Sequence, residues 1–313
     1  MKEPYKMNKE LLDKEKDELI IHAPKEFSFS ENLSYLSRSS NECLFEIVDQ
    51  KIYRALFVEN ETILVEIRAE NDTMIFVRFL GRTTSIEKHV LEAVSQYVRQ
   101  WFDLDTNLLP FYELAKNDPL LQWPVGQFYG LRNMGIPDLF EAIAWGILGQ
   151  QINLTYAYTL KRRLVERFGK SIEYEGEKYW LFPTPEVIAN LTVKDFVELK
   201  MTLKKCEYLI GVAQLMIRGD LTKEELLNAK DVKAAEKMLT KIRGIGPWTA
   251  NYVLMRCLRF PAAFPIDDVG LHNSMKLVME TEAKPTKEEI LKLSGAWANW
   301  ESYATFYLWR LLY

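Results

Sequence analysis

Cysteine is scarce in this chain, and the scarcity excludes several kinds of protein. The three cysteines, Cys43, Cys206 and Cys257, stand far apart, so they supply neither a disulfide framework nor a metal-ligand spacing. That usage suits a reducing cytosol. Histidine also occurs three times and forms no ligand cluster, so no metal site is expected. No run is long and apolar enough to cross a membrane. The first residues, "MKEPYKMNKELLDKEKDE", lack the apolar core of a secretory leader and read as a charged, solvated arm over 1–18. Positive charge is not in excess either, the formal net charge being −4. A polyanionic partner would have to be met by basic residues gathered on one face.

What is present is 48% hydrophobic residues in 313, enough for one large core or two moderate ones. From Leu19 to about Leu80, short runs rich in β-branched and aromatic residues ("LIIHA", "CLFEIV", "KIYRALFV", "ILVEIRA", "MIFVRFL") alternate with turn chemistry. A short helix fits "SENLSYLSRS" with Ser30 as its N-cap, and "SIEKHVLEAVSQYVRQWF" has helical apolar spacing. The texture then changes to helices, interrupted by a small hairpin at "EYEGEKYWLF". The spacing predicts a helix pair joined at Gln150 to Asn153, further helices beyond it, and a last one over "AWANWESYATFYLWRLL". The expected organisation is an α+β N-terminal domain with an antiparallel sheet over 19–106, followed by a mostly α region over 107–313.

One stretch, "KIRGIGPWTANYVLMRCLRFPAAFPIDDVGL" (241–271), combines a Gly-x-Gly turn with a carboxylate pair after a proline. Lys241 closes one helical run, and Pro247 suits the first position of the next. Between them Gly244 and Gly246 can leave backbone N–H groups pointing outward, an anion site favoured by the helix dipole. A plain helix–helix turn would carry the same glycines. Asp267 and Asp268 could cap a helix that starts near Val269, with or without a chemical role.

The string "LTKIRGIGPWTANYVLMRCL" with "FPIDDVGL" resembles the helix-hairpin-helix–Gly/Pro/Asp superfamily of DNA glycosylases. Within it the likeness is closest to bacterial 3-methyladenine DNA glycosylases of the AlkA type. "FEAIAWGILGQQINL" resembles the helix pair that carries the DNA wedge, and "WESYATFYLW" the closing helix. The strand-rich start is similar to the family's TATA-binding-protein-like domain. The resemblance implies Asp268 as the catalytic carboxylate and Trp248, Tyr252, Trp309 and Tyr35 as walls of a base pocket. It implies DNA contacts at Gly244, Gly246 and Arg243, with Lys205 near the same face. The wedge falls on Gln151, where family members can carry leucine, with Ile152 beside it.

The implied activity is flipping and hydrolytic excision of alkylated bases of the 3-methyladenine and 7-methylguanine type from double-stranded DNA, leaving an abasic site. A carboxylate would stabilise the positive charge that develops on the sugar and direct water. A base already cationic leaves as a neutral molecule, so no dedicated acid is needed, and an aromatic pocket attracts it. Strand-cutting relatives use a lysine two residues after the second hairpin glycine, where this chain has Trp248. No cofactor is implied, although such a hairpin can seat a structural cation. The cysteine cluster of iron–sulfur relatives is missing, since none lies beyond Cys257. The resemblance implies a monomer of the bacterial cytosol and nucleoid. Two other readings fit parts of the pattern: an oxidised-purine (8-oxoguanine-type) glycosylase, and a non-catalytic DNA-binding hairpin module.

Overall fold

The computed structural model describes residues 11–13, 18–82 and 86–313. Six strands form one antiparallel sheet: β1 (Leu11–Asp13), β2 (Glu18–His22), β3 (Phe45–Val48), β4 (Lys51–Val58), β5 (Glu61–Asn71) and β6 (Met74–Leu80). Their spatial order is β1-β2-β6-β5-β4-β3. The arm expected over 1–18 is thereby corrected in part. Leu11–Asp13 pair with Ile20–Glu18 through the backbone, which a count of side-chain charge does not detect. Residues 1–10 and 14–17 of that arm lie outside the described residues.

Two helices belong to this part of the chain, α1 (Phe29–Leu36) and α2 (Lys88–Phe102), and α2 packs on β2 and β4. The N-cap of α1 is Ser28 rather than Ser30: its hydroxyl accepts from Glu31 N, because buried Phe29 takes the first helical position. Along α2 the buried residues Val90, Val94, Val98, Trp101 and Phe102 make one apolar stripe toward the sheet.

The remainder is helical: α3 (Leu109–Lys116), α4 (Gln122–Gln127), α5 (Leu139–Leu148) and α6 (Leu154–Phe168), then the hairpin β7 (Lys170–Tyr174) and β8 (Glu177–Leu181). There follow α7 (Pro185–Ala189), α8 (Leu203–Ile217), α9 (Lys223–Leu227), α10 (Val232–Thr240), α11 (Pro247–Arg256), α12 (Val269–Val278), α13 (Lys287–Leu293) and α14 (Glu301–Arg310). Every residue of α5 is buried, as are Ser302 to Arg310 of α14, so these two form the centre about which the others arrange. The final helix is shorter than its apolar spacing suggests. Trp297 is pinned by its indole N–H to Asp118 at 2.7 Å, and it ends a separate short helical turn before α14 begins.

The apolar core is continuous from the sheet into the helices. Polar pins cross the same junction. The fully buried Asn32 of α1 donates to Gly130 O at 3.1 Å and accepts from Arg132 N at 2.9 Å. These bonds fix α1, and with it Tyr35, against the helical region. Removing them would leave the buried N–H of Arg132 without its partner, while Gly130 O would keep only the Ser28 N–H. Asn32→Ala is therefore expected to destabilise the fold by about 1–3 kcal/mol, measured by urea denaturation; a loss below about 0.5 kcal/mol would show that the junction is not held here.

Candidate active site

The Gly-x-Gly turn links α10 to α11, and its glycines play different parts. Gly244 has φ +94°, and a Cβ there would enter the ring of Tyr208, so both conformation and space call for glycine. Gly246 is the N-cap of α11 with an ordinary extended backbone (φ −89°, ψ 176°), and a Cβ there would meet only open space. It therefore leaves the N-terminus of α11 uncovered without any demand of the backbone. Ile245 is buried beneath the turn, and Pro247 opens α11 as the sequence predicts.

The two aspartates separate. Asp267 is exposed and ion-paired to Lys287, at 2.9 and 3.0 Å. Asp268 is the N-cap of α12, and its Oδ1 accepts from Leu271 N at 2.8 Å. It is also more than a cap. Trp309 Nε1 donates to Oδ1 at 2.7 Å, and Trp248 Nε1 donates to Oδ2 at 2.6 Å. An indole nitrogen is donor only, so these contacts suit an ionised carboxylate and fix its plane. Gly270 permits the approach, since a Cβ there would crowd both Asp268 and the Trp309 ring.

From this carboxylate an aromatic row runs inward. Trp248 and Tyr252, four apart on α11, stack with centroids 5.4 Å apart and planes 23° apart. Tyr252 meets Trp309 at 6.2 Å. Arg256, one further turn along α11, lies 5.4 Å from the Tyr252 centroid and 5.7 Å from that of Tyr35. All of these line one open cleft of about 1010 Å³, together with Arg38, Trp145, Gly149 to Leu154, Asn273 and Tyr313. The four aromatic residues singled out from sequence thus converge on one space with Asp268. Arg256 was legible as the next residue on the Trp248–Tyr252 face; Arg38, on the irregular segment after α1, carries no sequence signal of that kind.

The opposite wall is the turn between α5 and α6. Gln151 is exposed and left-handed, φ +57°, a conformation uncommon for a residue with a side chain. Ile152 is half-buried and packs on the core, so it anchors the turn while Gln151 projects. Gln150, which the sequence reading places only at the joint of the helix pair, donates its amide to Gly244 O at 2.8 Å and to Thr249 Oγ1 at 3.4 Å. It ties this turn to the glycine turn.

The basic residues need correction. Lys205 does not face outward: it is buried and donates to Leu148 O at 2.7 Å, at the C-terminal end of α5. Burial lowers its pKa, since it has no carboxylate partner to offset desolvation. It braces the helix end rather than meeting a phosphate. Arg243 is exposed as expected, but in the free protein its guanidinium is paired to Glu207 at 2.8 Å. Lys161 is buried against Glu42 at 2.9 Å, and Arg162 and Arg163 donate to backbone carbonyls. The run of three basic residues on α6 serves the interior.

Comparison with known proteins places this arrangement among relatives. Residues 144–299 match the "HhH-GPD superfamily base excision DNA repair protein" family, and residues 20–143 match "8-oxoguanine DNA glycosylase, N-terminal domain". A Bacillus subtilis DNA-3-methyladenine glycosylase is 54% identical over 95% of this chain and 98% of its own length. The Escherichia coli DNA-3-methyladenine glycosylase 2 is 32% identical over 58% of this chain and 60% of its own. Among solved structures, a 3-methyladenine DNA-glycosylase from Archaeoglobus fulgidus superposes with a TM-score of 0.81 at 24% identity, covering 93% of this chain and 97% of that one. An 8-oxoguanine glycosylase/lyase from Clostridium acetobutylicum, solved with double-stranded DNA, has the same fold, with a TM-score of 0.73 at 19% identity over 95% of each chain.

The unlike glycines give a direct test of the turn. Gly244→Ala is expected to lower stability by about 1–3 kcal/mol through left-handed strain and overlap with Tyr208. Gly246→Ala should stay within about 0.5 kcal/mol of the parent protein. Thermal unfolding of both variants checks this, and equal losses would refute the distinction.

Proposed function

Because this chain belongs to the helix-hairpin-helix–Gly/Pro/Asp superfamily of base excision DNA repair proteins, we propose that it is a DNA glycosylase of the 3-methyladenine type. In this reading it flips an alkylated purine out of duplex DNA and hydrolyses its N-glycosidic bond. The observation that carries the proposal is Asp268. A carboxylate that only capped α12 would need Leu271 N; this one is also held by two indoles inside an aromatic cleft.

The groups take distinct roles. The α11 N-terminus beside Gly246 meets a backbone phosphate with outward N–H groups and the positive end of the helix dipole. Gln151 enters the stack in place of the extruded nucleotide, held out by its left-handed backbone and by Ile152 behind it. The base lies against Trp248 and Tyr252, whose electron-rich faces favour a ring bearing positive charge. As the C1′–N bond lengthens, positive charge moves to the sugar beside Asp268, which stabilises it and receives the proton of the attacking water. No cofactor enters. A cation at the hairpin would rest on backbone carbonyls, since no group of three or more His, Cys, Asp or Glu suited to a metal occurs among the described residues.

The reading includes a single activity, acting as a monomer. A strand-cutting relative forms a Schiff base through a lysine amine, and Trp248 cannot. Its indole lone pair belongs to the ring, and its N–H is engaged by Asp268.

Two measurements bear on this. Asp268→Asn is expected to lower single-turnover release of methylated purine by about 10²-fold or more, with affinity for abasic-site duplex changed less than about threefold. Asp267→Asn, which breaks only the exposed pair with Lys287, should leave release within a few-fold of the parent. The reverse ranking of the two variants would overturn the assignment. Borohydride added during turnover should trap no covalent protein–DNA adduct, and strands should break only after alkali. A stoichiometric adduct would show that a lysine amine attacks the sugar.

A further inference from the structure

Helix α8 stands behind both turns that the reading above brings to DNA. Lys205 and Tyr208 lie three apart on it and so share a face. Tyr208 backs the glycine turn, its ring occupying the space that a side chain at Gly244 would need. Lys205 backs the other turn. Its ammonium donates at 2.7 Å to the carbonyl of Leu148, the last residue of α5 and three residues before Gln151. Two other carbonyls at this end of α5 are satisfied locally, Trp145 O by Gly149 N and Ile147 O by Gln150 N. Leu148 O is held from another helix.

A lysine is a demanding choice for that contact. It is buried, and among the described residues its one hydrogen-bond partner is Leu148 O, with no carboxylate paired to it. An ammonium taken out of water without a counter-charge opposes folding, and an apolar chain of the same length would fill the space without that penalty. What the ammonium adds is direction. A charged donor fixes the carbonyl it meets and complements the negative end of α5. Beyond Leu148 the chain runs through Gly149 and Gln150 to Gln151, which is exposed and left-handed. A side chain that pushes between bases needs a root that does not yield. Here the root is held twice, at Leu148 O by Lys205 and at the Gln150 amide by Gly244 O.

We propose that Lys205 is a positioning residue for base flipping, holding the end of α5 so that Gln151 enters the stack in a set direction. The proposal rests on the glycosylase reading above and on Gln151 as the wedge. Lys205 is buried, so it acts through Gln151 and not on the DNA. Its contribution is largest where the stack resists opening and smallest where opening is already easy.

The test is single-turnover release of 7-methylguanine from two duplexes, one fully paired and one holding the base at the centre of consecutive mismatches. The proteins are the parent, Gln151→Ala, Lys205→Met and the double variant. Each reports the ratio of the paired to the mismatched rate, which does not depend on the fraction folded, so a destabilised variant still reads out. Lys205→Met is expected to lower that ratio about fivefold or more. In the Gln151→Ala background the same substitution should change it less than about twofold, because the residue it acts through is gone. Equal slowing on both duplexes by Lys205→Met would overturn the proposal and leave Lys205 a brace of the fold. A full further loss on top of Gln151→Ala would overturn it as well. A ratio unmoved by Gln151→Ala would remove the wedge from that position, and the proposal with it. Release from neither duplex by the parent would instead overturn the glycosylase reading itself.

Discussion

The placement of Asp268 by three N–H donors is the constraint on which the rest of the site depends. The donors come from different elements: Trp248 from α11, Trp309 from α14 and Leu271 from α12. One carboxylate therefore joins three helices at their point of convergence, and each helix also presents its own group to the cleft. Hydrogen bonds to an ionised acceptor are shorter and stronger than neutral ones. The same bonds that orient this carboxylate, the proposed reacting group, also tie it to the aromatic walls. Chemistry and pocket shape are thus one arrangement, and a change that moves either indole moves both.

The surrounding fold makes this precision affordable. α5 and α14 are buried on all sides and supply rigid axes, and α1 is pinned by Asn32 to Gly130 and Arg132 in the segment that leads into α5. Tyr35 and Arg38 come from the sheet-bearing part of the chain, yet they face a cleft whose other walls belong to the helices. The junction between the two parts is continuous core, so these side chains keep their place without a ligand to hold them.

Much of this was legible in the sequence, for physical reasons that differ by residue. Periodicity exposed most helices because their apolar faces are long. The hairpin and the Pro-Asp pair were legible because glycine, proline and aspartate constrain the backbone locally. Lys205 was misread because charge alone does not tell whether a side chain runs outward or back along a neighbouring helix to Leu148 O. Ser30 lost the cap to Ser28 because burial of Phe29 fixed the helix start. β1 was hidden because its pairing is made by backbone groups. Arg38 and Gln150 escaped notice for a further reason. Gln150 bonds across the fold to Gly244 O, far off in sequence, whereas Arg38, over the ring of nearby Tyr35, stands on an irregular segment with no periodicity to place it.

The Gln150 amide has a mechanical consequence. It couples the turn proposed to enter the base stack to the turn proposed to hold the DNA backbone, with a bond to Gly244 O and another to Thr249 Oγ1. Two loops joined in this way form a single lever rather than two independent fingers. In the proposed complex, force on one strand of the duplex would pass to the other contact without a hinge between them, and the fixed distance between these turns would set any bend imposed on the DNA.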